Sequence, residues 1–293
     1  MINHNSKNRL AKILTGLGVL LRNKRFLAGL LMMVAIYLMT IIGPLVIPYD
    51  PTRIEAGPLS SPPSWEHILG TDDMGRDIAA QMLVGTRLSF HIGLLAGVFT
   101  LVLSVMLGFI SGYYRGSIDT IIASVTDVFL VIPALPVLVL ISSYLRTITI
   151  PVMAAILTAF NWAWPTKAFR SQVLTLRKRE FVDMAKLSGL SSINIIIREL
   201  IPNMLAYIGA SFAIAFTGAM ITEIGLEILG LGPQNVITLG IIIYRAIRPP
   251  SAILLGQWWM WLPPVIVVIL LFSALFLLHL GLDEVANPRL RTK

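Results

Sequence analysis

The chain has 293 residues, of which 56% are hydrophobic and only 13% charged, with a mean hydropathy of +0.81 and a formal charge of +8. Soluble domains carry roughly a quarter charged residues, so the composition excludes an ordinary soluble domain and points to a polytopic membrane protein. The absence of cysteine excludes disulfides, thiolate metal sites and a cysteine nucleophile.

Residues 1–25 carry Lys7, Arg9, Lys12, Arg22, Lys24 and Arg25 with no acidic residue. The apolar run at 26–48 follows, longer than the apolar part of a signal peptide and without a small-residue cleavage site, which predicts a retained first transmembrane helix. Residues 49–87 are polar and rich in Pro, Gly and Asp, as suits an external loop. A five-helix core is expected over 88–282, with spans near 88–112, 118–144, 148–169, 201–229 and 262–282. An amphipathic stretch at 180–203 lies within it, an external segment occupies about 230–261, and residues 283–293 form a cytoplasmic tail. Six spans place both termini in the cytoplasm.

The basic residues agree with that topology. Seventeen Lys and Arg fall on the segments expected inside, against six outside (Arg53, Arg76, Arg87, Arg146, Arg245 and Arg248), which is the asymmetry of the positive-inside rule. Their spread over separate cytoplasmic segments argues against nucleic-acid binding. Small residues recur every four positions at Gly93 and Gly97, at Ser104, Gly108 and Gly112, and at Ala206 and Ala210. That spacing lets helix backbones approach closely, within this chain or against a related subunit.

The stretch 180–203 is unlike its surroundings. Phe181, Met184, Ala185 and Ser188 fall at i, i+3, i+4 and i+7 as one apolar or small stripe, with Glu180, Asp183 and Lys186 on the polar side. Gly189 suits a sharp turn, Ser191 or Ser192 can cap a second helix, and Pro202 sits where the next span starts. The pattern allows two readings, a helix lying on lipid headgroups or a knob offered to a cytoplasmic partner. No Gly-x-x-x-x-Gly-Lys-[Ser/Thr] phosphate loop is present, so the chain does not cradle ATP in the usual way.

Other candidates are read against plainer roles. Asp72, Asp73 and Asp77 lie in a glycine-bearing loop without the alternating ligands of a calcium loop, so helix capping by Thr71 or Asp72 is expected there. Glu223 and Glu227 stand one turn apart near the external end of the fifth span, where such residues either serve a functional path or partner, or pair with Arg245 or Arg248, or snorkel to the interface. Trp258, Trp259 and Trp261 suit either interfacial anchoring or stacking on sugar rings.

Several motifs then occur together and in order. Asp183-Met184-Ala185 followed by Gly189 and by Ile201-Pro202 resembles the EAA loop of ABC-importer permeases. Residues 69–77, Gly112-Tyr113-Tyr114-Arg115-Gly116, Thr126-Asp127, Leu229-Gly230-Leu231-Gly232 and Asn287-Pro288-Arg289-Leu290-Arg291 resemble the second permease subunit of the dipeptide, oligopeptide and nickel branch. The chain departs from that pattern where Glu-Ala-Ala becomes Asp-Met-Ala and where the frequent His is Glu199. The segments at 230–240 and 257–264 are similar to permeases that travel with oligosaccharide-binding proteins.

The resemblance implies an all-α polytopic membrane protein with six transmembrane helices of the type I ABC-importer permease fold and a cytoplasmic coupling helix. It implies a non-catalytic subunit of a prokaryotic cell membrane, forming a pore with a homologous permease. Two ATPase subunits would bind ATP and Mg, and an extracytoplasmic binding protein would deliver a short oligopeptide or oligosaccharide. No cofactor or metal is expected in this chain. Glu180, Phe181, Asp183, Met184, Ala185, Gly189 and Pro202 would couple to the ATPase, and Glu223, Glu227, Tyr244, Trp258 and Trp259 would lie along the substrate path. A nickel importer of the same branch, or an exporter or secretion channel, is the alternative.

Overall fold

The computed structural model describes residues 18, 20–145, 148–233, 236–248 and 252–286. Lys7, Arg9 and Lys12 of the basic N-terminal segment, Arg146, and the motif at residues 287–291 lie outside the described residues. The helices are, in chain order, α1 (Lys24–Val46), α2 (Ile78–Tyr114), α3 (Gly116–Val131), α4 (Ala134–Tyr144), α5 (Ile150–Asn161), α6 (Ala163–Leu176), α7 (Glu180–Leu187), α8 (Ser192–Ile195), α9 (Ile201–Asn203), α10 (Leu205–Ile228), α11 (Leu239–Ile247) and α12 (Trp258–Ala286). A π-helical turn, Ile196–Leu200, joins α8 to α9.

The protein is an all-α polytopic membrane protein, but its spans are less regular than expected. Among the described residues four helices, α1, α2, α10 and α12, are long and apolar enough to cross a bilayer, and α3 with α4 makes a fifth if the bent pair is one span. The run at 118–144 is broken because Pro133 lacks a backbone N–H and drives Ile132 out of the helical region (φ −68°, ψ 124°). The two pieces meet at 82°. The run at 148–169 is divided at Trp162 into α5 and α6. With 12 residues, α5 is only about 18 Å long at 1.5 Å per residue, well short of a bilayer core of about 30 Å. Helix α2 starts at Ile78 rather than near residue 88, and the segment expected outside at 230–261 contains α11 and the start of α12.

Helix α2 organises the rest. Its 37 residues reach about 55 Å, and α1, α3, α5, α6, α10, α11 and α12 all pack against it. The small-residue stripe is what lets them approach. A Cβ on Gly97 would stand 3.0 Å from the Cα of Phe216 on α10, and one on Gly108 would stand 2.6 Å from the Cβ of Phe169 on α6. Ser104 donates to the carbonyl of Trp162 at 2.9 Å, tying α2 to the break between α5 and α6. Of the two readings of this stripe, packing within the chain therefore accounts for Gly97, Ser104 and Gly108.

Three apolar clusters divide the length of α2. Near its start, Ile78 and Met82 join Met33, Phe216, Met220, Leu239, Met260 and Leu271. In the middle, Ile92 and Ala96 meet Leu138, Met153, Leu157 and Leu226. Near its end, Phe109 and Tyr113 meet Phe169, Val173, Val182, Ile195 and Leu200. Large apolar side chains remain exposed on the outer faces, among them Leu31, Met39, Val102, Ile121, Val128, Leu140, Ile269 and Phe276, as befits helices bounded by lipid or another membrane subunit.

Candidate functional site

Two ends of α2 carry the candidate residues. At its C-terminal end sits α7, whose acidic residues Glu180 and Asp183 lie in the first turn and Lys186 in the last, the order that the helix dipole favours. Its end is closed by a Schellman motif, in which Gly189 N–H donates to the Lys186 carbonyl (2.9 Å) and Leu190 N–H to that of Ala185 (3.2 Å). Gly189 holds φ +75°, with nothing within 4 Å of where a Cβ would be. Its requirement for glycine is thus one of backbone conformation and not of space. Ser191 then caps α8, accepting from Asn194 N–H at 3.4 Å.

The stripe of Phe181, Met184, Ala185 and Ser188 does not form one outward face. Val182 and Ala185 are buried in the cluster around Phe109, Val173, Ile195 and Leu200, and Phe181 packs against the same cluster. Burying a side chain the size of Val182 stabilises by about 1.5–3 kcal/mol, so α7 is anchored in this cluster, with α8 and the π-helical turn packed beside it. What faces outward is Met184 and Leu187 on α7 and Ile193 and Ile197 beyond the turn, 63%, 83%, 61% and 56% exposed. Leu187, Ile193 and Ile197 were missed by the reading from sequence. The signal was the one-residue offset between Val182/Ala185 and Phe181/Met184, which periodicity alone leaves undecided. Glu180, Asp183, Ser188 and Pro202 are exposed, and Lys186 pairs with Asp183 at 2.8 Å on the surface. Basic side chains Arg115, Arg177, Lys178 and Lys186 line a cavity beside α7, with Asp183 at its rim.

At the N-terminal end of α2 the construction is polar. Asp77 caps the helix by accepting from Ala80 N–H (2.7 Å), and its other oxygen meets His67 Nδ1 (2.8 Å). The helix cap is therefore Asp77, not Thr71 or Asp72, because Thr71 and Asp72 are occupied inside the preceding loop. Asp72 accepts from the backbone N–H of Met74 and Arg76 (both 2.9 Å), from Arg76 Nε (2.7 Å) and from Gln81 Nε2 (2.9 Å). The Thr71 hydroxyl donates to the Pro58 carbonyl and accepts from Ser61 N–H. This loop is a closed hydrogen-bond network seated on α2.

Against it lie α11 and the start of α12. Thr238 caps α11 and donates to Glu227 Oε2 at 2.7 Å, while Leu239 N–H donates to Ser89 at 3.1 Å. Glu223 and Glu227 are both wholly buried in α10, with Ser89 beside Glu223 and Thr238 beside Glu227. They neither pair with Arg245 or Arg248 nor reach the surface, because α11 closes over them. Arg245 instead donates to Gln81 Oε1 at 3.3 Å, and Arg248 stacks 5.4 Å from the Tyr244 ring centre. Trp259 Nε1 donates to the Thr71 carbonyl at 3.3 Å, so this tryptophan holds the loop onto α12, while Trp258 is half exposed. A cavity of about 500 Å³ opens between the loop, α11 and α12, lined in part by Tyr244 but not by Glu223, Glu227, Trp258 or Trp259.

Comparison with known proteins places these features in a family. Residues 104–292 match the binding-protein-dependent transport system inner membrane component, and residues 17–63 match the N-terminal TM domain of oligopeptide transport permease C. The oligopeptide transport system permease protein OppC of Lactococcus lactis subsp. cremoris (strain SK11) is 30% identical over 78% of this chain and 77% of its own. The dipeptide transport system permease protein DppC of Bacillus subtilis (strain 168) is 30% identical over 92% and 83%, and an OppC of Mycobacterium tuberculosis (strain CDC 1551 / Oshkosh) is 28% identical over 93% of both. With α7, both buried glutamates and the Arg245 region inside the matched 104–292, the chain belongs to the family of binding-protein-dependent transport system inner membrane components.

Proposed function

We propose that this chain is the second permease subunit of an ABC importer for short peptides. It pairs with a homologous permease, receives substrate from an extracytoplasmic binding protein and is driven by two ATPase subunits that bind ATP and Mg. The observation that carries this reading is the anchored α7, a helix held in the apolar cluster at the C-terminal end of α2 through Val182 and Ala185 while Met184 and Leu187 stand exposed. An apolar pair on a rigid mount transmits force, whereas a helix lying on headgroups needs no such mount. The excess of Lys and Arg on the segments that include α7 supports a cytoplasmic position for it and for both termini.

Peptide is favoured as substrate because the relatives' names specify dipeptides or oligopeptides. Closure of the ATPases would draw the two α7 elements together and rock the spans about the central path, with no covalent chemistry in this chain. The test is ATP-driven uptake into proteoliposomes holding the assembled complex, with the binding protein outside. Uptake of a short peptide that stops with Leu187→Glu, while the complex's subunits still insert in the membrane, supports the reading. Uptake unaffected by Leu187→Glu removes it.

A further inference from the structure

The cavity at the N-terminal end of α2 has a charge that its own residues do not balance. Three guanidinium groups line it, from Arg76, Arg245 and Arg248, against the single carboxylate of Asp73. Arg76 is only 7% exposed and its Nε is committed to Asp72, yet its Nη2 has no hydrogen-bond acceptor and lies 3.8 Å from the Asp73 carboxylate. Arg245 meets the neutral amide oxygen of Gln81, and Arg248 meets a ring face. Among the described residues neither has a carboxylate within ion-pair distance. Burial and the neighbouring Arg76 push the Arg245 guanidinium below its usual range against an opposing pull from Asp72 and Asp73, the expected response of a partly buried cation beside a like charge, while Arg248 is exposed. Asp72 and Asp73 offset part of this charge, and the remaining positive excess attracts an anion.

Building on the importer reading, we infer that this cavity takes the free C-terminal carboxylate of the transported peptide, with Arg245 and Arg248 as the residues that hold it. Guanidinium presents paired N–H donors that match a carboxylate edge to edge. The volume of about 500 Å³ suits a small ligand and not a protein loop of many residues. Tyr244 and Gln257 add a hydroxyl and an amide at the same wall. The site bridges the loop before α2, the α11 helix and the start of α12, so a bound carboxylate links the three elements that close this end of the permease. The selected feature is the charge of the peptide terminus, not its side chains.

The test uses the complete complex in proteoliposomes with its binding protein, and compares ATP-driven import of trialanine with that of trialanine amide. In Arg245→Gln/Arg248→Gln, trialanine import is expected to fall about tenfold, the usual size of a lost charged hydrogen bond. Trialanine amide import stays at its wild-type level, and so does the affinity of the peptide-free binding protein for the complex. Arg245→Lys/Arg248→Lys keeps the charge but loses the paired donors, so trialanine import recovers in part, to a level between the glutamine variant and wild type, and this pair decides the matter where the amide is carried too slowly to measure. Trialanine import within twofold of wild type overturns the inference. So does an equal loss for both peptides, and so does weakened docking of the binding protein, which would assign the arginines to an acidic surface of that partner. A wild-type complex that imports no peptide at all removes the importer reading instead, whereas normal peptide import by the glutamine variant removes only the carboxylate site.

Discussion

The two ends of α2 are built on opposite principles. At the C-terminal end, α7 is anchored from below by apolar contacts and leaves apolar side chains above, with few hydrogen bonds beyond its own caps. At the N-terminal end Asp72, Asp77 and Thr71 of the loop are bonded inward and Trp259 of α12 ties the loop down, and the adjoining cavity is lined by three arginines. The first arrangement suits a contact that is made and broken repeatedly, because apolar docking needs little geometric precision. The second suits recognition, because a hydrogen-bonded frame holds charged groups at fixed places. The long helix α2 joins the two ends.

Substitutions at the two ends sharpen the contrast. The largest effect is expected for Gly189→Val, which forces a β-branched residue into φ +75° and costs about 1–3 kcal/mol locally. Because the space around it is open, the protein should insert in the membrane normally while substrate-stimulated ATP hydrolysis by the complex falls more than tenfold. Gly108→Leu comes next. Its side chain has no room against Phe169 and Thr166, so overpacking of about 1–3 kcal/mol should lower the thermal midpoint of the purified complex and loosen both ends together.

Asp77→Ala attacks the polar end alone, removing the α2 cap and leaving His67 without its partner. A cost of about 1–3 kcal/mol is expected, seen as faster proteolysis of the loop before α2 with α7 docking unaltered. The smallest effect belongs to Lys186→Ala, since its pair with Asp183 is solvent-exposed. Exposed pairs contribute about 0–1 kcal/mol, and neither the thermal midpoint nor transport should change measurably.

How much of this was legible in the residues depended on whether the cause was local. The Gly189 turn follows from nearby residues, and the sequence reading places it where the structure does, while the cap expected at Ser191 or Ser192 is made by Ser191. Which face of α7 is buried was not legible, because Val182 is drawn inward by Phe109 and Val173 from distant parts of the chain. The helix break at Pro133 was available in the sequence but hidden by continuous hydropathy across residues 118–144. Asp77 was overlooked as the cap because Asp72 and Thr71 carry the same chemistry a few residues earlier. The arginine cavity had no sequence signature, since Arg245 reaches Gln81 across 164 residues. Covering of Glu223 and Glu227 by α11 was equally non-local, as it depends on Thr238 and on the packing of Gly240 against Glu227.

The central claim is that the exposed pair on α7 seats in an ATPase subunit and does not lie in lipid. The chain has no cysteine, so a single Leu187→Cys gives a unique attachment point. In membranes holding the whole complex, a short bifunctional thiol-directed cross-linker should join that position to an ATPase subunit, with a yield that changes when ATP is bound. Absence of any cross-link to the ATPase, together with quenching of a fluorophore at the same position by lipid-borne quenchers, would contradict the account.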